Sequence, residues 1–100
     1  MDDVFSAIAD TTRRQMLARL HSEGALSVTQ LTEPMSVSRQ AVTKHLNVLE
    51  NAGLIVVYRQ GRERLHKIQP RPLQAVDDWL RPYAQAVSYT HLTLPTIYSV

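Results

Sequence analysis

The chain has 100 residues, no cysteine and a formal net charge of +2 at pH 7. This length fits one domain, and a domain of this size buries only about two thirds of its unfolded surface, so a partner subunit would add useful stability. The lack of cysteine excludes disulfides, thiolate metal sites and thiol redox switches. The longest apolar run, residues 54–58, is too short to cross a membrane, and the acidic N-terminus has no signal-peptide pattern. We therefore expect a cytoplasmic protein without a membrane partner.

The charge is unevenly distributed along the chain. Residues 36–69 contain six basic and two acidic side chains, a net charge of +4, whereas residues 1–35 contain three basic and five acidic ones, a net charge of −2. A phosphate-binding face requires such a local excess of positive charge. The pattern favours the middle of the chain as the region that contacts an anionic partner.

The first predicted helix covers residues 2–9. Its apolar side chains Val4, Phe5 and Ile8 share one face at helical spacing. Acidic residues in the first turn suit the helix dipole. The apolar face needs a partner.

A second helix is predicted from Thr11 to about Ser22, with Asp10 as its N-cap. Arg13 and Arg14 lie in its first turn, where positive charge opposes the helix dipole. Their position hints at a functional role, but solvated charges or a salt bridge to Asp10 explain it equally well.

A helix-turn-helix unit is predicted next. Ser27 and Gln30 form an S-x-x-Q capping box at the start of a short third helix, and residues 34–37 make a tight connection. The fourth helix is predicted between Ser38, a good N-cap, and Gly53, a good residue to follow a helix C-terminus.

The fourth helix separates its apolar and polar side chains. Val42, Leu46 and Leu49 recur at helical spacing on one side. The other side carries mainly hydrogen-bond donors: Arg39, Gln40, Thr43, Lys44, Asn47 and Asn51. Such a face is typical of a surface that reads a polar partner, although a lone amphipathic helix is more often an ordinary surface helix.

A β-hairpin is predicted directly after this helix. Residues 54–59 and 64–69 are β-rich runs, and residues 60–63 form the turn between them. We expect burial of the apolar residues 54–58 and, in the return strand, of Leu65 and Ile68. The basic tip is either a solvated edge that charge protects from pairing or a contact to phosphate, and its position after the fourth helix favours phosphate.

The last predicted helix begins at Pro70 and Pro72. Its apolar stripe consists of Leu73, Val76, Trp79, Leu80 and Tyr83. Part of this stripe exceeds what one small core needs, so it could pair with the first helix and with a second subunit. Pro82 is expected to kink or end the helix.

The order of these elements is that of a winged helix-turn-helix domain. We predict a mainly α fold with a small β-hairpin, in the order α-α-(β)-α-α-β-β-α, where the bracketed strand is a short one at residues 26–28. We expect residues 1–85 to form the DNA-binding and dimerisation domain. Residues 86–100 lack Lys, Arg, Asp and Glu as well as helical periodicity, and we expect a disordered or foreign tail there.

A set of short motifs carries a family resemblance, at residues 9–14 (ADTTRR), 26–31 (LSVTQL), 38–46 (SRQAVTKHL), 49–54 (LENAGL) and 61–64 (GRER). Together they resemble the ArsR family of bacterial winged-helix repressors, in particular its metal-free, autorepressor-like branch. The resemblance covers about residues 4–83. It implies that the two terminal helices form a dimer interface, which in this chain would contain Val4, Phe5, Ile8, Val76, Trp79, Leu80 and Tyr83.

Catalytic and metal-binding patterns are not found in the sequence. None of the four histidines shares a metal-ligand spacing with another on one element, and each is interpreted as a surface or shoulder residue. Asp77 and Asp78 are adjacent and point apart on a helix, unlike a paired acid and base. Relatives that sense metals use cysteines in the helix-turn-helix or Asp and His on the last helix, and this chain has neither set. We expect no enzyme activity, metal or cofactor.

We predict a dimeric repressor that binds double-stranded DNA at a roughly palindromic operator and occupies the promoter. Arg39 and Gln40 are the expected base readers, Arg for guanine and Gln for adenine. The full set of residues assigned to DNA is Ser38, Arg39, Gln40, Thr43, Lys44, Arg59, Arg62 and Arg64. The alternative is a winged helix used for protein contacts in a larger assembly.

Overall fold

The structure, a computed structural model, describes residues 2–90. Its elements in chain order are α1 (Asp2–Ile8), α2 (Thr11–Glu23), α3 (Val28–Thr32), α4 (Arg39–Asn51), β1 (Ile55–Gln60), β2 (Glu63–Ile68), a 3-10 turn (Arg71–Leu73) and α5 (Gln74–Thr90). This arrangement confirms the predicted winged helix-turn-helix fold. None of the helices in this range is long and apolar enough to span a bilayer.

Side-chain caps fix the starts of three helices. At α2, Oδ2 of Asp10 accepts a hydrogen bond from the backbone N–H of Arg13 at 2.9 Å. At α3, Ser27 and Gln30 form the reciprocal capping box, and at α4 the hydroxyl of Ser38 accepts from a backbone N–H in the first turn. Each contact satisfies a donor that a helix start otherwise leaves unpaired. All three N-caps had been predicted from the sequence.

The hydrophobic core lies among the first four helices and the base of the hairpin. Val42, Leu46 and Leu49 of α4 are buried, as predicted. They pack in a cluster with Val4, Ala7, Met16, Leu17, Leu20, Leu26, Leu31, Leu54 and Ile55. The apolar side of α4 is therefore fixed against the core, and its polar side faces outward.

The two strands pair in antiparallel register, with Ile55 opposite Ile68 at the base of the hairpin. The turn contains Gly61 at φ 65°, a left-handed conformation that glycine adopts without steric cost. The short strand predicted at residues 26–28 is reduced to a single bridge, in which Leu26 and His66 exchange two backbone hydrogen bonds of 3.0 and 2.8 Å.

Burial along β1 is less extensive than predicted. Leu54 and Ile55 are buried, but Val56 and Tyr58 are exposed. Successive side chains of a strand point to opposite faces, so one of every two turns away from the helices. At the distal end of the hairpin, residues 58–60 and 63–64 are exposed, so this end projects beyond the core.

His66 is the buried residue of β2, and not Leu65 as predicted. Its side chain is only 4% exposed, and Nδ1 lies 3.0 Å from the carbonyl oxygen of Leu26. That oxygen gives the buried imidazole a hydrogen-bond partner, which makes its burial tolerable. The interpretation of every histidine as a surface or shoulder residue is therefore wrong for His66.

The last helix is longer than the sequence predicted. α5 continues through Pro82 to Thr90, so the proline does not end it. A proline removes one donor from the helical hydrogen-bond ladder, and the helix persists on both sides of that gap. Residues 86–90, assigned above to a tail, are thus helical. Residues 91–100 lie outside the described part of the chain, and for them the tail stays a prediction.

Candidate nucleic-acid interface

The first turns of α4 are open to solvent on their polar side. Its buried apolar side chains hold the helix against the core, so the donor-rich side is the one that a partner can reach. All five side chains assigned to DNA at this end of α4 are exposed: Ser38, Arg39, Gln40, Thr43 and Lys44. An α-helix with side chains is about 10–12 Å across and fits the major groove of B-DNA, which is about 12 Å wide.

The hairpin tip, residues 59–64, concentrates positive charge. Arg59, Arg62 and Arg64 are all exposed, and the strand register places Arg59 directly opposite Arg64. Like charges at opposite positions of a two-stranded sheet destabilise the pairing. The tip is therefore not optimised for the stability of the hairpin, and its charges suit an anionic partner.

A groove of about 530 Å³ joins the start of α4 to the hairpin tip. It is lined by Ser27, Val28, Thr29, Gln30, Arg39, Arg62, Glu63 and Arg64. The structure thus brings together three of the predicted DNA-binding arginines, which lie up to 25 positions apart in the sequence. The helix and the hairpin form one continuous basic surface, with Glu63 as the acidic member of the lining.

Arg39 is held by a residue that sequence reasoning missed. Its Nη1 donates a hydrogen bond to Oγ1 of Thr29 on α3 at 2.9 Å. A guanidinium carries five N–H donors, so this bond leaves donors for a base or a phosphate. The two residues are ten positions apart on separate helices, and no local pattern could have linked them.

Thr43 is less available to phosphate than the sequence suggested. Its hydroxyl donates to the backbone carbonyl of Arg39 at 3.0 Å, one turn earlier in α4. Phosphate oxygens accept hydrogen bonds, so Thr43 would have to leave this carbonyl to donate to one. Lys44, the next residue, is exposed at the same end of the helix.

Arg13 and Arg14 bind the C-terminus of the preceding helix. Nε of Arg13 donates to the carbonyl of Ala7 at 2.7 Å and Nη2 to that of Ser6 at 3.1 Å, while Arg14 donates to the carbonyl of Ile8 at 2.7 Å. Positive charge at a helix C-terminus is favourable. Hydrogen bonds to the last carbonyls of α1 therefore explain why Arg13 and Arg14 lie in the first turn of α2.

The junction of α1 and α2 also contacts α4 through His45. Nδ1 of His45 lies 3.2 Å from Nη1 of Arg13 and 3.9 Å from Oδ2 of Asp10. The pKa of Asp10 is lowered, first by the backbone N–H of Arg13 and then by the charges of His45 and Arg13. These contacts fix α4 at a point close to the turns that are assigned to DNA.

The terminal helices share an exposed aromatic surface. The rings of Phe5 and Trp79 meet edge to face with centroids 6.0 Å apart, and Tyr83 lies 5.1 Å from Trp79. Trp79, Leu80 and Tyr83 are 55%, 41% and 57% exposed. We call Phe5, Trp79, Leu80 and Tyr83 the terminal face. The sequence also assigns Val4, Ile8 and Val76 to the dimer interface. Val4 is 7% exposed and packs in the core, and Ile8 and Val76 are partly buried against it.

A separate open cleft of about 670 Å³ lies between α2 and the turn before α4. It is lined by Thr12, Gln15, Ala18, Arg19, Glu23, Pro34, Met35, Ser36 and Val37, none of which was assigned to DNA. Arg19 and Glu23 form an ion pair with each other at 2.7 Å. Across residues 2–90, no group of three or more His, Asp or Glu side chains is arranged to hold a metal ion.

Comparison with known proteins places this architecture in a family. Residues 8–58 match a family model described as a helix-turn-helix domain. The Bacillus subtilis protein YuzN, an HTH-type transcriptional regulator, is 38% identical over 79 residues, which cover 73% of this chain and 86% of YuzN. SdpR, a transcriptional repressor of the same species, is 31% identical over 80 residues, or 80% of this chain and 88% of SdpR.

Solved structures agree with these relatives. The crystal structure of the ArsR family transcriptional regulator RHA00566 has 36% sequence identity and a TM-score of 0.73, and the match covers 87% of this chain and 89% of that one. These similar proteins are regulators of transcription and not enzymes, as expected from the motifs. The chain belongs to the ArsR family of winged helix-turn-helix, DNA-binding transcriptional regulators.

Proposed function

We propose that the protein is a repressor that binds a roughly palindromic operator as a homodimer. The observation that carries this proposal is the basic groove in which Arg39, Arg62 and Arg64 meet. A helix that enters the major groove and a basic hairpin beside it are the two contacts that a winged helix offers to DNA. The similarity to SdpR, which is named a transcriptional repressor, supports the direction of regulation.

Base reading is assigned to the first turn of α4. Arg39 and Gln40 are exposed there, and their side chains can form paired hydrogen bonds with guanine and adenine, respectively. The N-terminal residues of a recognition helix are those that reach base edges. We therefore assign sequence preference to these two side chains.

Phosphate contacts are assigned to the remaining polar residues of the surface. These contacts fix the orientation of a protein on DNA without reading its sequence. The group contains Ser38, Lys44, Arg59, Arg62 and Arg64. Thr43 joins it only when its hydroxyl leaves the Arg39 carbonyl. Arg62 and Arg64 lie across the groove from α3 and would follow the DNA backbone beside the recognition helix.

The terminal face is assigned to the dimer. Trp79, Leu80 and Tyr83 of α5 are exposed in the single chain, and the ring of Trp79 links them to Phe5 of α1. A two-fold axis through such a surface makes it self-complementary and sets two recognition helices about one DNA turn apart. A palindromic operator follows from that symmetry. Because such a regulator works at the chromosome, we propose the cytoplasm as its location.

Binding to random genomic fragments tests the proposal. Fragments selected by the protein through several rounds of electrophoretic mobility shift should share a motif with inverted symmetry, and a selected fragment should shift at lower protein concentration than its shuffled version. A shared motif without inverted repeats would contradict the dimeric operator. The absence of any shift at low salt would instead favour a winged helix used for protein contacts.

A further inference from the structure

We infer that Thr29 is a positioning residue for Arg39, so that its hydroxyl orients the base-reading guanidinium before DNA arrives. The inference rests on the proposed function, in which Arg39 reads the operator. The hydrogen bond of 2.9 Å from Nη1 of Arg39 to Oγ1 of Thr29 is the contact that carries it.

The backbone around Thr29 is fixed by hydrogen bonds from two sides. The capping box of Ser27 and Gln30 fixes the first turn of α3 on the N-terminal side. Arg19 of α2 donates to the carbonyls of Gln30 and Leu31 at 3.1 and 2.9 Å and fixes it from the other side. Threonine is β-branched and has few side-chain rotamers. The acceptor presented to Arg39 is therefore held in place on a rigid element.

The charges around the groove explain why a hydroxyl is suited to this position. Arg62 and Arg64 line the same groove as Arg39, and their positive charges oppose a fixed position of its guanidinium. A carboxylate in place of Thr29 would hold Arg39 more strongly but would also repel phosphate. The neutral hydroxyl orients Arg39 and leaves the positive charge of the surface intact.

Orientation before binding affects affinity because an exposed arginine loses side-chain entropy when it docks on a base. That entropy for one flexible side chain corresponds to about a 2- to 10-fold change in affinity. An arginine that is already oriented loses less side-chain entropy on binding. The resulting gain in affinity applies to DNA that offers the matching base. Thr29 should thus raise selectivity without contacting DNA itself.

Thr29→Val tests the inference because valine keeps the β-branched shape and removes the acceptor. Thr29→Ser restores a hydroxyl. Thr32→Val is the matched control on α3, since the hydroxyl of Thr32 donates to the Val28 carbonyl within its own helix. We would measure the affinity of each variant for a selected fragment and for its shuffled version, in the wild-type background and with Arg39→Ala, after checking that the melting temperatures agree.

We define selectivity as the affinity for the selected fragment divided by the affinity for its shuffled version. Thr29→Val should reduce this selectivity about 2- to 10-fold, whereas Thr29→Ser and Thr32→Val should leave it near the wild-type value. In the Arg39→Ala background, Thr29→Val should have no further effect. The same loss in that background would show that Thr29 contacts DNA itself and would overturn the inference. A selectivity that depends on Arg39 but not on Thr29 would overturn the inference and leave the proposed function standing. Wild-type protein that does not bind DNA would overturn both.

Discussion

Arg39 and Lys44 lie within two turns of each other on α4, yet they should contribute differently to DNA binding. The planar guanidinium of Arg39 can pair with two acceptors of one guanine, and such a contact discriminates against a wrong base by about 1–3 kcal/mol. Arg39→Ala should therefore reduce the preference for the operator over shuffled DNA by that amount. Competition binding against shuffled fragments measures it, and unchanged selectivity would remove Arg39 from the base readers.

The ammonium group of Lys44 acts as a point charge, so its loss should weaken binding to all sequences alike. The slope of log affinity against log salt is negative, and Lys44→Ala should make it less steep by about one unit. Titrations at several salt concentrations with operator and shuffled DNA give both quantities. An unaltered slope, or a loss confined to the operator, would show that Lys44 does not contact phosphate.

Asp10 should make the stability of the fold depend on pH in the acid range. Its pKa is lowered in the folded protein, chiefly by the backbone N–H of Arg13, so the carboxylate stabilises the fold above the ordinary pKa of an aspartate, 3.8. That stabilisation is lost as the pH falls through the lower, folded value. Asp10→Asn keeps a good N-cap acceptor but cannot titrate in this range.

Urea unfolding at pH 7, 5 and 3 tests this prediction. The wild-type midpoint should fall between pH 5 and 3 by more than that of Asp10→Asn, because only the wild type loses the ionised cap. Asp10→Ser, which also caps without a charge, should behave like the Asn variant. Parallel decreases in all three proteins would show that other groups determine the acid sensitivity.

At the scale of the elements, the sequence predicted contacts between neighbouring residues and missed contacts between distant ones. The caps made by Asp10, Ser27 and Ser38 involve partners three residues away, and the structure confirms each of them. The Thr29–Arg39 bond and the burial of His66 depend on how elements come together. Such contacts leave no local pattern, and for this reason the sequence did not reveal them.

The same distinction explains the hairpin and the last helix. The basic residues of the tip could be read from composition, but the alternation of burial in β1 depends on where the hairpin leaves the core. Proline is a sound local signal for a helix end, and α5 continues through Pro82 because the rest of its ladder is intact. Local signals thus predicted the order of the elements better than their extent.

At the hairpin tip, a single substitution should change the stability of the fold and the affinity for DNA in opposite directions. Arg59 faces Arg64 across the strands, and opposite charges at paired positions are worth about 0.2–1 kcal/mol relative to a neutral pair. Arg59→Glu should therefore raise the free energy of unfolding by up to about this amount while it weakens DNA binding. Urea unfolding and mobility shifts on one protein sample measure both effects. A variant that is both less stable and fully active would contradict this account of the tip.

On the scale of the whole molecule, the proposed dimer would make DNA affinity depend on the association of two chains through the terminal face. The ring of Trp79 contacts Phe5 and Tyr83 but remains 55% exposed, and in the proposed dimer the second subunit would cover the exposed part of the ring. The few residues that dominate an interface are enriched in Trp and lie near its centre, and truncation of one to Ala costs about 2 kcal/mol or more of binding. Trp79→Ala should thus weaken the dimer by at least about 2 kcal/mol and have a smaller effect on folding of the single chain.

Analytical ultracentrifugation over a range of concentrations measures the shift in dimer dissociation, and mobility shifts show whether operator binding weakens in parallel. Val56→Ala is the matched control, because Val56 is an exposed apolar residue of the hairpin and lies outside the terminal face.

Removal of residues 91–100 should also leave the dimer intact, since the residues assigned to the interface all precede that segment. A Trp79→Ala protein that stays dimeric at the wild-type concentration, or a truncated one that becomes monomeric, would move the interface to other residues. Because two half-sites are bound together only by a dimer, either result would also change the expected symmetry of the operator.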